Sequence, residues 1–178
     1  MKNLMKKLMK IEIGPGKKRL SPDWITLGLN LRDDIDYHYT WGDGPTHFET
    51  ETVDLIYANH VLEHIAWHKT EIALREAYRI LKIGGILEIW VPDFEQIVHG
   101  YLRRECLDNL RHFNPEGDFM KWVNAKIFRH GKEGERHFCV FDQSSLRRIL
   151  KKVGFKTFLL DSPRGNNHGT NLGVGGEK

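Results

Sequence analysis

Glu12-Ile13-Gly14-Pro15-Gly16 places a carboxylate and two glycines at the end of a short apolar run. Glycines there let the backbone come close to a ligand, because no Cβ stands in the way. In open α/β sheets ligands bind beyond the carboxyl ends of the strands, where such a loop would lie. A dinucleotide fingerprint needs a third glycine and an immediate helix whose N-terminus faces a pyrophosphate. Here Lys17-Lys18-Arg19 follow, and Ser21-Pro22 leaves almost no room for a helix. Glu12 would repel a pyrophosphate but suits a cationic ligand, through charge and hydrogen bonding.

A second group of residues could move protons. Asp93 follows a predicted strand, and His130 and His137 lie in a loop punctuated by Gly131 and Gly134. Imidazole takes up a proton near neutral pH, which suits general-base work. The alternative for His137 is a structural one, ordering its loop through a backbone hydrogen bond. Glu63 and His64 suit a scaffold part at a helix start, the carboxylate facing the dipole and the imidazole bonding a backbone group. None of the ten histidines has a metal-ligand spacing such as HExxH. Cys106 and Cys139 match no CxxC pattern and read as buried free thiols.

The elements that must position these residues alternate between strand and helix, as in an α/β domain with a mainly parallel sheet. Strands are predicted at Leu8–Ile13, Trp24–Leu29 and Val53–Ala58, with a third, alternating one through Ile35, Tyr37 and Tyr39. Thr70–Leu81 predicts a helix stopped by Gly84-Gly85, followed by a strand over Ile86–Val91. Helices are expected around Phe94–Leu102 and Phe119–Phe128. Another spans Ser144–Val153, with Asp142 as N-cap and Gly154 as stop. Phe155–Leu160 and Asn171–Val174 read as closing strands.

Composition bounds the function. The 178 residues, 40 % hydrophobic and 29 % charged, suit one globular domain. No apolar run reaches the roughly 20 residues of a bilayer span. Met1–Lys10 builds no signal-peptide core, so the expectation is a cytoplasmic protein with no membrane partner. A net charge of +3 provides no concentrated basic face for nucleic acid. The charge is uneven: residues 30–76 carry three Lys/Arg against ten Asp/Glu, and residues 99–160 carry thirteen against seven. Two solvated faces of opposite sign would explain this, as would a basic segment holding an anionic substrate.

Taken in order, Glu12–Gly16, Val53–His64 (VDLIYANHVLEH), Arg79–Leu87 (RILKIGGIL), Val91-Pro92-Asp93, His137, Phe141-Asp142, Leu146 and Gly154-Phe155 resemble class I S-adenosylmethionine-dependent methyltransferases. The likeness is to the small bacterial type with a shortened first helix. It implies a Rossmann-like, doubly wound, mainly parallel sheet with a C-terminal antiparallel strand. It also implies one methyltransferase domain over residues 1–178, with an acceptor-site insertion at residues 93–140. The implied cofactor is S-adenosylmethionine. By this resemblance Gly14, Pro15 and Gly16 face its methionine portion, and Glu12 its amino acid end. Asn59 and His60 lie beside it at the end of the fourth strand, with Asn30 and Leu31 at the ribose. The family usually has an acidic residue at the ribose. Asparagine can accept one hydrogen bond and donate another, and Arg32 or Asp33 could also fill in. Thr40–Asp43 offers no clear acid for the adenine, and Trp41 reads either as a stacking partner or as core. The family pattern has a histidine near His137, which makes His137 the first candidate base, before His130 and Asp93.

Methyl transfer from a sulfonium needs an aligned nucleophile, a proton acceptor and exclusion of water. It requires no metal, and none is expected. The leading expectation is methylation, at oxygen, of a small molecule, sugar or glycan precursor. The segment from Val91 to Val140 is too short for a large dedicated substrate domain. The alternative is a non-catalytic cofactor-binding or scaffold protein with the same fold. A nicotinamide-dependent reductase is disfavoured by the missing third glycine.

Overall fold

Runs of Ile, Leu and Val that are buried along most of their length are drawn into one sheet, which satisfies their backbone groups away from water. The computed structural model describes residues 7–29, 33–105, 118–129, 136–164 and 171–178. Asn30, Leu31, Arg32, Cys106, His130, Gly131 and Gly134 lie outside the described residues. The strands are β1 (Lys10–Ile13), β2 (Ile25–Gly28), β3 (Tyr37–His38), β4 (Val53–Asn59), β5 (Leu81–Pro92), β6 (Lys156–Leu159) and β7 (Asn171–Glu177). They form a seven-stranded sheet in the order β3-β2-β1-β4-β5-β7-β6. β1 to β5 pair in parallel, and β7 runs antiparallel to both β5 and β6. This is the expected Rossmann-like, mainly parallel sheet with an antiparallel closing strand, in one domain.

Side chains alternate across the sheet. Ile11, Ile13, Ile56, Ala58, Leu87 and Ile89 face the main core, which α1 (Thr70–Ile80) and α4 (Gln143–Val153) cover with Ala73, Leu74, Leu146 and Leu150. Tyr57 and Trp90 point the other way and join Trp24 in a smaller cluster, closed by Leu20, Leu55 and Leu160. Residues 14–24, between β1 and β2, contain no helix, so this face is covered by turns and loops.

Two further helices, α2 (Phe94–Arg103) and α3 (Phe119–Phe128), start at Asp93 and Asp118, whose carboxylates accept from the first backbone amides. At the start of α4, Asp142 and Ser145 form a reciprocal capping box, which brings the helix start to Gln143. The strand after α1 differs from the expectation. It begins at Leu81, where Leu81 pairs with Val53, and passes through Gly84 at a left-handed φ of +78°. The glycine pair is therefore an irregularity inside β5, and α1 ends at Ile80 before it. An ion pair between Lys82 and Asp54 (2.6 Å) ties this stretch to β4. β3 is shorter than expected, with Tyr39 reduced to one amide bond to the Gly28 carbonyl.

Gly173 of β7 lies opposite Trp90, and a Cβ there would come within 2.4 Å of the indole ring. Gly173→Ala should therefore cost about 1–3 kcal/mol through overpacking. The check is the urea midpoint, which should fall; an unchanged midpoint would contradict this packing.

Candidate active site

The parallel strands all deliver their C-terminal loops to one end of the sheet, and a cavity of about 400 Å³ opens there. Its size falls within the usual range of small-molecule sites, roughly 300–1,000 Å³. Gly14, Pro15 and Gly16 form one wall after β1, and Leu27, Gly28 and Leu29 form the next at the end of β2. Tyr39, Thr40, Trp41 and Asp43 follow β3, while His60, Val61, His64 and Ile65 follow β4.

Gly14 and Gly16 both adopt left-handed φ, +65° and +56°. The Gly14 amide donates to the Leu27 carbonyl at 2.8 Å, tying the loop to β2. A Cβ on Gly14 would lie 2.5 Å from a Val61 methyl, whereas one on Gly16 would meet nothing within 4 Å. Gly14 therefore lets two loops close on each other, and Gly16 leaves its side of the cavity open to a ligand.

Glu12 does not line the cavity. Its buried carboxylate accepts from the Leu20 amide (2.8 Å) and so fastens the turn that carries the glycines. Burial pushes its carboxyl above the ordinary range, against the Leu20 bond and the nearby Arg19 charge. Asn59 also stays outside the lining, which His60 and not Asn59 provides. Trp41 lines the cavity but is chiefly core: it is 4 % exposed and its indole N–H donates to the Ala73 carbonyl. The loop behind it is held by Glu76, whose Oε1 accepts from the Thr46 amide (2.7 Å), the Thr46 hydroxyl and Arg79.

The end of β4 carries a polar cluster. His60 has a left-handed φ of +55°, a strained conformation of the kind that collects at functional sites. Its Nδ1 meets Glu63 Oε1 at 2.9 Å and its Nε2 meets Asn171 Oδ1 at 3.0 Å. Glu63 is only 1 % exposed. Burial opposes its charge, but the bond and charge of His60, with His64, hold its carboxyl below the ordinary range. His64 Nδ1 meets the Arg136 carbonyl at 3.0 Å, the backbone bond expected of it, while its ring still lines the cavity.

His137 stacks edge to face on His64, with ring centroids 4.7 Å apart. Its Nε2 is buried, 3.9 Å from Glu63 Oε1, and has no hydrogen-bond partner. Burial pushes its pKa down to about 4, against the pull of Glu63. It stands behind the cavity wall, outside the lining. Asp93 is engaged as the cap of α2: Oδ1 accepts from the Glu95 amide and Oδ2 from the Gln96 side chain. Cys139 turns its thiol toward the carbonyls of the 62–65 turn, and burial pushes its pKa up to about 11. The structure thus unites His60, Glu63, His64 and His137, and leaves Asp93 and Glu12 in supporting bonds. The sequence signal for this union was the run of His60, Glu63 and His64 directly after a buried strand.

Residues 14–159 match the methyltransferase-domain family, and the chain belongs to that family. None of the curated proteins matches it by sequence. Among solved structures it is similar to a S-adenosylmethionine-dependent methyltransferase from Thermotoga maritima (TM-score 0.59, 18 % identity, 98 % of this chain and 84 % of that one). A second, from Archaeoglobus fulgidus, gives a TM-score of 0.59 at 13 % identity, over 96 % of this chain and 86 % of that one. The 1,6-didemethyltoxoflavin-N1-methyltransferase of Burkholderia thailandensis, solved with its acceptor and S-adenosylhomocysteine, gives 0.57 at 10 % identity (96 % and 71 % covered). At these identities the likeness is one of fold. The cofactor is S-adenosylmethionine, and the cavity fits it: a glycine loop without side chains, apolar walls from Leu27, Leu29 and Ile35, and among the polar lining Asp43, paired with Lys69.

A β-branched residue at Gly16 would be strained by about 1–2 kcal/mol at this φ and would fill the open side. Gly16→Val should therefore weaken S-adenosylhomocysteine binding at least about tenfold, a loss of roughly 1.4 kcal/mol, in a protein that still folds. Calorimetric titration with unchanged affinity would move the cofactor elsewhere.

Glu76 yields a pH prediction. Burial alone would raise its pKa, but the Arg79 and Thr46 bonds outweigh burial and hold it below the ordinary range. Its stabilisation is therefore full above the unfolded carboxylate pKa of about 4.3 and fades as pH falls through the lower folded value. Glu76→Gln should lower the melting temperature at pH 7 and narrow the gap to wild type as the pH drops below about 4. A gap that stays constant with pH would contradict the ionised contact.

Proposed function

We propose that the protein transfers a methyl group to an oxygen of a small-molecule, sugar or glycan-precursor acceptor. The observation that carries this reading is the position of His64 on the cavity wall, with His137 and Glu63 directly behind it. Such a group serves an acceptor that must lose a proton, as a hydroxyl must, and is superfluous for a free amine. When bound, S-adenosylmethionine supplies a methyl carbon made electrophilic by its sulfonium.

Gly14, Pro15 and Gly16 would hold the methionine portion, and His60 and Val61 would border it from β4. Leu27, Leu29 and Ile35 exclude water from the walls. The acceptor would enter from the side of residues 93–140, our proposed acceptor-site insertion. There α3 packs on α2 with Trp122 fully buried against Gly100. His137 adjoins Glu63 and His64, whereas Asp93 caps α2, and we assign His137 proton handling together with those two residues.

His137→Ala should keep cofactor affinity and lose methyl transfer by about 10²–10⁴-fold. The measurement pairs calorimetry against S-adenosylhomocysteine with transfer of a labelled methyl group to hydroxyl acceptors from a cell extract. Full turnover would return His137 to a purely structural part. Cofactor binding without transfer to any acceptor would favour a non-catalytic cofactor-binding protein.

A further inference from the structure

Two atoms in the cluster behind the cavity are buried and have no hydrogen-bond partner: Glu63 Oε2 and His137 Nε2. Buried polar atoms are nearly always satisfied, so an unmatched carboxylate oxygen beside an unmatched imidazole nitrogen points to an absent ligand with positive charge. His64 completes the set. Its Nδ1 lies 3.0 Å from the Arg136 carbonyl, which can only accept, so Nδ1 carries the proton and Nε2 keeps its lone pair. That backbone bond is the outer-shell contact that orients a metal-binding histidine. Glu63 is oriented in the same manner, its other oxygen held by His60 Nδ1 at 2.9 Å.

One ligand atom from each of Glu63, His64 and His137 lies within 4.8 Å of the other two. Ligands of a tetrahedral zinc at about 2.1 Å stand roughly 3.4 Å apart, so small side-chain rotations would close the set on an ion. The backbone already fixes the approach. The Phe138 amide donates to the Glu63 carbonyl at 2.7 Å, which lays the 137–139 segment along the turn after β4. Two imidazoles and one carboxylate favour zinc-like first-row ions over magnesium, which prefers oxygen ligands and retains its waters. Three protein ligands leave coordination positions open, as in catalytic sites.

We propose that Glu63, His64 and His137 bind one divalent transition-metal ion of the zinc type at the inner wall of the cofactor cavity, with an open position for the acceptor oxygen. The ion would orient that oxygen and lower its affinity for its proton, which leaves to water, so that His137, Glu63 and His64 would serve proton removal through the ion they hold and not as free bases. The role at the acceptor rests on the oxygen-methylation reading above; the site itself does not.

The test uses the full chain, stripped of metal and then dialysed against Zn²⁺ or Mg²⁺, without cofactor or acceptor. Elemental analysis should find one tightly held zinc per chain and no competition by magnesium. His64→Ala and His137→Ala, with unchanged circular dichroism, should each weaken zinc binding at least about 100-fold. Cobalt substitution of the wild type gives a readout that needs no variant: intense visible bands of a low-coordinate, nitrogen-ligated site are expected. No saturable zinc binding, equal binding by both variants, or a cobalt spectrum like that of the hydrated ion would overturn the proposal. Zinc binding together with methylation only at nitrogen or carbon would overturn the oxygen reading and leave the metal site standing.

Discussion

Glu63 keeps a carboxylate at 1 % exposure, and the groups that make its burial tolerable also build the site. An isolated charge in such a place would shed its ionisation, since desolvation is expensive. Here His60 bonds it directly and, with His64 close by, holds its carboxyl below the ordinary range, so it remains a carboxylate. His60 in turn reaches Asn171 at the start of β7, and the Glu63 main-chain carbonyl accepts the Phe138 and Cys139 amides. One residue thereby fastens the end of β4, the antiparallel closing strand and the segment that carries His137. Removing that carboxylate would release His60, and with it the tie to Asn171, while the main-chain bonds to residues 138 and 139 would stay.

Around this point the sheet divides its labour. One face meets α1 and α4 and supplies the main core, while the opposite face relies on Trp24, Tyr57 and Trp90 beneath turns. The turn from Gly14 to Trp24 takes the place of a helix, and Glu12 anchors it from below through the Leu20 amide. That anchoring explains why a carboxylate stands directly before the glycines, even though it faces away from the cavity lining. The loop that would cradle the cofactor is therefore held in place by a buried acid, in a chain that has no helix there to do so.

Much of this was legible in the chain. The apolar run at Val53, the Asp142 cap and the Phe119–Phe128 helix are local features, governed by burial periodicity and by backbone amides seeking acceptors. The glycine loop was legible because left-handed φ is nearly reserved for glycine. The start of β5 was not, because Leu81 owes its extended form to pairing with Val53, a partner distant in sequence. Nor was the part played by Asp93, a carboxylate equally suited to a base and to a helix cap until Glu95 and Gln96 claim it. The Glu63, His64 and His137 group was hidden for the same reason. His137 is more than seventy residues from its partners, and it meets them through main-chain bonds to the Glu63 carbonyl and the bond of His64 to the Arg136 carbonyl.

The central claim is that the cofactor sits at the strand ends, between the glycine loop and the turn after β4. Amide chemical-shift mapping of the ¹⁵N-labelled protein during titration with S-adenosylhomocysteine tests it most directly. The expected shifts lie at Gly14, Gly16, Leu29, Thr40, Trp41, His60 and Val61, with α4 and β6 silent. Shifts centred instead on Asp142, Ser144 and Arg147, which line a second, basic groove at the start of α4, would contradict it.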